Sequence, residues 1–100
     1  MSYNKLILKT NAAIEIENII AHYALINVVL AKRIEKEIRL GFKTIAENPE
    51  SFQYRYSKIR IFWLNKFPYG LYYIWENNEV FIVAFWHSKE DIPNKLPQIL

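Results

Sequence analysis

The sequence predicts an α+β domain: an N-terminal strand, an antiparallel two-helix hairpin, then a three-stranded antiparallel meander forming one small sheet packed on the helices. Apolar residues recur at spacings of three and four from Ala13 to Ile45, the period of helices with one buried face. From Tyr54 onward the chain turns to β-branched and aromatic residues, which fit a pleated sheet. Asn77-Asn78 sits between two such runs, and Asn tolerates the positive φ that a type I′ hairpin turn demands.

Leu6-Ile7-Leu8, flanked by Lys5 and Lys9, reads as the first strand. Thr10-Asn11 is the expected N-cap of a first helix, whose buried face comprises Ala13, Ile16, Ile20, Tyr23 and Ala24, with Glu15 and Asn18 on the wet side. Leu30, Ile34, Ile38, Gly41, Phe42 and Ile45 mark a second helix. Only Asn27 between the two patterns favours a turn, and one helix spanning both would be far longer than a small domain usually holds, so two helices with a tight connection are expected. The second ends at Asn48, because the residue before Pro49 is pushed out of the helical region.

Ile59 to Leu64, Leu71 to Glu76 and Val80 to Trp86 are the meander strands. Alternation sends Leu71 and Tyr73 to one sheet face and Tyr72 and Ile74 to the other, so both faces look covered. The helical pair covers only one, which predicts a second face open to a partner. Pro93 and Pro97 exclude a long regular helix in the tail from Lys89 to Leu100.

A chain of 100 residues makes one domain, residues 1–100. Folding at this size buries roughly 60% of the surface the unfolded chain exposes. A composition 52% hydrophobic and 16% aromatic is more apolar than so small a core can hide, which points to life in a complex. The net charge of +3 is unevenly placed. Residues 1–50 set six glutamates against seven bases, whereas Ser51 to Trp75 holds no acid, four bases and ten aromatics. Basic side chains interleaved with ring faces suit an anionic partner such as nucleic acid.

Cysteine is absent, so disulfide and thiolate chemistry are excluded. Its two histidines, His22 and His87, lie far apart in sequence and no metal is expected. Gly41 and Gly70 are the only glycines, so there is no glycine-rich phosphate loop, and neither a cofactor nor a metabolic activity is expected. With no signal-peptide pattern and no long apolar run, a cytoplasmic chain without a membrane partner is the expectation.

The order of short motifs is more specific than any one of them: Glu47-Asn48-Pro49 closing a helix, Arg60 in the next strand, Phe67-Pro68-Tyr69 opening another, Tyr73, and His87 with a basic residue and a proline after it. In that order the chain resembles the RelE/ParE superfamily of bacterial toxins over nearly its whole length. The resemblance implies a small growth-inhibiting toxin of a type II toxin-antitoxin pair, of the kind linked to plasmid stabilisation, bound by a cognate antitoxin in a hetero-oligomer. RelE-like members cut mRNA on the ribosome; ParE-like members inhibit DNA gyrase. The Phe67-Pro68-Tyr69 hairpin and the strand ending in His87 look closer to the ParE-like side. No Tyr or basic cluster accompanies Gln98-Ile99-Leu100, which departs from the RelE-like pattern. The hairpin also lacks the usual Gly or Pro between its helices.

RNA cleavage of the RelE-like kind needs proton transfer and positive charge opposite a crowded phosphate. Arg60, in the family's basic strand position, and His87, an imidazole able to exchange protons near neutral pH, are the catalytic candidates. Arg60 is equally an ordinary solvated strand residue, and His87 equally a strand cap. Tyr54, Arg55, Tyr56, Lys58 and Lys89 are the candidates for contact with nucleic acid or target, although Lys58 and Arg55 also suit plain solubility and Glu90-Asp91 weakens the field at Lys89. Lys32, Lys36, Arg39 and Lys43 lie along one stripe of the second helix, read either as its wet face or as a docking surface for an acidic segment or nucleic acid. A noncatalytic binding module on the same scaffold is the reading from another class.

Overall fold

The computed structural model describes residues 4–99. Strand β1 (Lys5–Leu8) leads into helices α1 (Thr10–Ile26) and α2 (Val28–Glu47), then strands β2 (Tyr54–Tyr56), β3 (Ile59–Trp63), β4 (Tyr69–Glu76) and β5 (Glu79–His87) and a short helix α3 (Ile92–Lys95). Single 3-10 turns follow α2 at Pro49–Ser51 and α3 at Leu96–Gln98. All the strands join one five-stranded sheet in the order β1-β5-β4-β3-β2.

The sheet therefore has five strands, where a three-stranded meander was expected. β3, β4 and β5 are that meander; β1 adds parallel to β5, and β2 adds antiparallel to β3. Three residues are too few to show a period, so Tyr54-Arg55-Tyr56 is recognisable as a strand only once β3 lies beside it. Ser57 takes a φ of 51° in the turn between them. The β4–β5 turn is as expected, with Asn77 and Asn78 at φ 52° and 63°.

The helix junction is a single residue. Asn27 is extended, at φ −164° and ψ 116°, and its side-chain oxygen accepts from Val29 N at 2.8 Å, capping α2. No glycine is needed because no positive φ is required. The expected cap at Thr10-Asn11 is not formed: Lys9 stands at the N-cap and Thr10 is already helical. The chain leaves β1 directly for the helix, since Lys9 N still donates to Ile82 O. On α1 the inward residues are Ala12 and Ile16, flanked by Ile19, Ile20 and Tyr23, while Ala24 is exposed.

α2 lies on the sheet through Ile34, Ile38, Gly41 and Ile45. A Cβ at Gly41 would meet Leu71 Cδ1 at 2.8 Å and Phe62 Cε1 at 3.0 Å, so glycine lets the helix approach this closely. Leu71 and Tyr73 face the helices, and Tyr72 and Ile74 the other side. That other side is not left open. Ile92, Leu96 and Ile99 of the tail fold over Tyr72, Val83 and Trp86, so the chain supplies its own cover for the second face. Apolar surface instead remains at the helix junction, where Leu25, Ile26, Val28 and Val29 are 89%, 63%, 59% and 63% exposed.

Candidate target-binding surface

The β2–β3 hairpin gathers most of the residues that the sequence marks as contact candidates, and Arg60 holds it to the body of the protein. Arg60 pairs with Tyr54 of β2 on one side and Tyr73 of β4 on the other. Its Nη1 donates to Phe52 O at 2.7 Å and to Glu50 O at 3.2 Å. The guanidinium carbon lies 4.1 Å from the Tyr54 ring centroid and 5.7 Å from that of Trp75. A planar cation between ring faces is attracted by their quadrupoles. Arg60 thus fastens the segment after α2 to the sheet, with part of its donor capacity already taken.

Neighbouring polar groups fasten the same segment. Tyr73 donates its hydroxyl to Pro49 O at 2.7 Å, and buried Asn4 donates both backbone N and Nδ2 to Ala46 O while its Oδ1 accepts from Trp75 Nε1 at 3.1 Å. Carbonyls released by the end of α2 find internal partners, which makes this end of the molecule a fixed platform.

On that platform Tyr54 is 60% exposed and Arg55 is exposed with no ion pair among the described residues. Tyr56 turns to the far face and packs against the cluster containing Ile59, because an irregularity in register between Tyr54 and Tyr56 puts them opposite consecutive residues of β3. Lys58 pairs with Glu76 at 3.2 Å, both half in solvent, a contact worth little to stability.

His87 and Lys89 stand elsewhere. His87 ends β5 opposite Tyr69, presents its ring edge-on to the Tyr69 ring at 5.1 Å, and accepts from Lys89 N through Nδ1 at 2.9 Å. That bond leaves the hydrogen of a neutral imidazole on Nε2. Between Arg60 and His87 lie four residues of β4 and two strand spacings, roughly 16 Å between backbones. Lys89 is exposed beside Glu90, whose carboxylate is engaged by Lys95.

The buried tyrosines supply no base at neutral pH. Burial pushes the Tyr72 hydroxyl up to about 12, with Tyr56 adding to the shift and Arg55 opposing it. Burial likewise raises Tyr73 and Tyr69, in each case as the largest cause. Among the described residues no group of three or more His, Asp or Glu side chains gathers into a metal site, and no helix is long and apolar enough to cross a membrane.

One structural residue was placed on the wrong side by helical period alone. Glu15, expected on the wet side of α1, accepts from Phe85 N at 3.0 Å and from Trp86 Nε1 at 2.8 Å. β1 stops at Leu8, so β5 runs on with this edge unpaired while β4 still flanks the other, and a carboxylate takes the place of the missing strand. Glu37 similarly accepts from Asn65 N and Lys66 N in the β3–β4 turn. No sequence spacing announces either contact, since each partner is remote along the chain.

No curated protein sequence matches the chain. Its fold matches a solved chain described as "Chromosomal ParDE TA system from P. aeruginosa", with a TM-score of 0.72 at 19% identity, covering 85% of this chain and 96% of that one. At that identity the likeness concerns the fold. The sequence itself matches the family model described as "ParE toxin of type II toxin-antitoxin system, parDE" across residues 6–92, from β1 to the first residue of α3. Because that match takes in the whole helical hairpin and nearly the entire sheet, the chain belongs to the ParE toxin family of type II toxin-antitoxin systems.

Proposed function

We propose that this chain arrests growth by inhibiting DNA gyrase and that a cognate protein antitoxin neutralises it in a hetero-oligomeric complex. Membership of the ParE toxin family carries the reading. The charged side chains support a binding inhibitor over an enzyme that cuts RNA. Cleavage needs proton transfer and positive charge around one phosphate, whereas part of the donor capacity of Arg60 is taken by main-chain carbonyls and His87 lies roughly 16 Å from it between backbones.

In this mechanism the β2–β3 hairpin presents Tyr54, Arg55 and, from its turn, Lys58 to the target, and Arg60 and Tyr73 hold it still. Preorganisation of this kind lowers the ordering cost of binding. The exposed apolar run Leu25, Ile26, Val28 and Val29 supports a chain that works in a complex.

Induced expression with and without the neighbouring gene, followed by transcript mapping and plasmid topology, tests the reading. Growth should stop, transcripts should stay intact, plasmids should lose negative supercoiling, and co-expression of the neighbour should restore growth. Arg55→Ala should weaken the arrest about tenfold at unchanged melting temperature, since an exposed side chain contributes little to folding. Transcripts cut at ribosomal A-site codons, with normal supercoiling, would replace this reading with mRNA cleavage.

A further inference from the structure

We propose that the outer face of α2 is a binding surface for the phosphate backbone of duplex DNA, independent of which enzyme the toxin inhibits. Lys32, Lys36, Arg39 and Lys43 are all exposed. At 100° per residue they fall within an arc of about 60°, opposite the side that carries buried Ile34, Ile38 and Ile45. The stripe runs about 16 Å along the helix axis, the rise of roughly five phosphates on one strand of B-DNA.

The nearby acids leave most of this charge unopposed. Glu37 faces the β3–β4 turn, where Asn65 N and Lys66 N occupy it. Glu35 pairs with Arg39 at 3.2 Å, and Glu47 lies at the end of the helix. Lys32, Lys36 and Lys43 make no ion pair among the described residues.

The stripe carries no ring. Single-stranded nucleic acid is usually held by bases stacked on aromatic side chains beside the cations, and among the described residues the exposed Tyr and Trp rings, Tyr54 and Trp63, belong to β2 and β3. Cations on a straight helix without stacking partners match a regular row of phosphates. Such a contact positions the protein on DNA without reading its sequence.

Fluorescence anisotropy of the full chain with a labelled 20-base-pair DNA duplex, against salt, tests the proposal. Three unpaired cations predict that affinity falls on the order of 40-fold between 50 and 200 mM salt. The variant Lys32→Gln/Lys36→Gln/Lys43→Gln should lose nearly all of that dependence. A control with the same charge removed elsewhere, Lys5→Gln/Lys9→Gln/Lys66→Gln, should keep most of it. Circular dichroism checks that both variants fold, and a supercoiling assay on the same samples reads the gyrase proposal separately. The proposal is overturned by any of three results: equal weakening in the control, tighter binding to single-stranded DNA or poly-glutamate than to the duplex, or no salt-dependent duplex binding.

Discussion

Tyr72 and Tyr73 are chain neighbours, both fully buried, and their hydroxyls meet opposite fates. Tyr73 faces the helices and donates to Pro49 O, in a region where Arg60, Trp75 and Asn4 also bond across to neighbouring elements. Tyr72 faces the tail, and its hydroxyl has no hydrogen-bond partner among the described residues. The helix side joins a packed core to a polar network. The other side is sealed by Ile92, Leu96 and Ile99 from a short helix and a single 3-10 turn. The tail closes the far face chiefly by apolar burial, joined by Lys95 Nζ 5.0 Å from the Trp86 ring centroid, whereas the platform that carries the β2–β3 hairpin is fixed by apolar burial and several directional bonds together.

Substitution of matched residues on the two faces is the strongest way to break this contrast. Ile45→Ala, against the helix-side core, should cost about 3–4 kcal/mol, and Ile92→Ala about 1–2 kcal/mol, because a thin cover can settle into the space while a helix wedged on a sheet cannot. Equal losses in denaturant titrations would show that both faces are packed alike. Arg60→Met should follow, at about 2–3 kcal/mol, since it strips a charged donor from two carbonyls and removes the cation beneath Tyr54.

The tyrosine pair then sharpens the comparison. Tyr73→Phe leaves Pro49 O without its partner and should cost about 1–2 kcal/mol. Tyr72→Phe removes a buried hydroxyl with no partner among the described residues, so stability at pH 7 should change by less than about 0.5 kcal/mol or rise. The pH dependence tests the burial of Tyr72. Its folded-state value of about 12 exceeds the ordinary 10.0, so the folded state retains the proton longer than the unfolded chain. Stability is therefore unaffected by this group below pH 10 and falls as pH rises toward 12, by on the order of 2–3 kcal/mol in total. Alkaline denaturation curves should therefore be flatter in Tyr72→Phe than in the native chain; identical curves would mean that Tyr72 is solvated.

Features set by near neighbours in sequence are legible along the chain itself. Asn77-Asn78 announces its turn, Pro49 announces the end of α2, and alternation along β4 assigns Tyr72 and Tyr73 to their faces. Features set by distant partners are not. β2 exists because β3 pairs with it, Glu15 turns inward because β1 ends before β5 does, and the tail covers the far face through apolar side chains at Ile92, Leu96 and Ile99 that its prolines overshadow. Of the contact candidates, Tyr54 and Arg55 stand exposed on one hairpin, while Lys89 lies at the far end of the sheet. Residue type and strand order mark Arg60 as important, but nothing along the chain reveals that carbonyls eight and ten positions earlier receive its donors.

A supercoiling assay with purified gyrase, relaxed plasmid and the purified chain, run beside a translation extract in which transcripts are mapped, tests the central claim most directly. Supercoiling should be blocked in proportion to added protein, Arg55→Ala should raise the concentration required about tenfold, and transcripts should remain whole. Full supercoiling at every concentration, with transcripts cut in the extract, would contradict it.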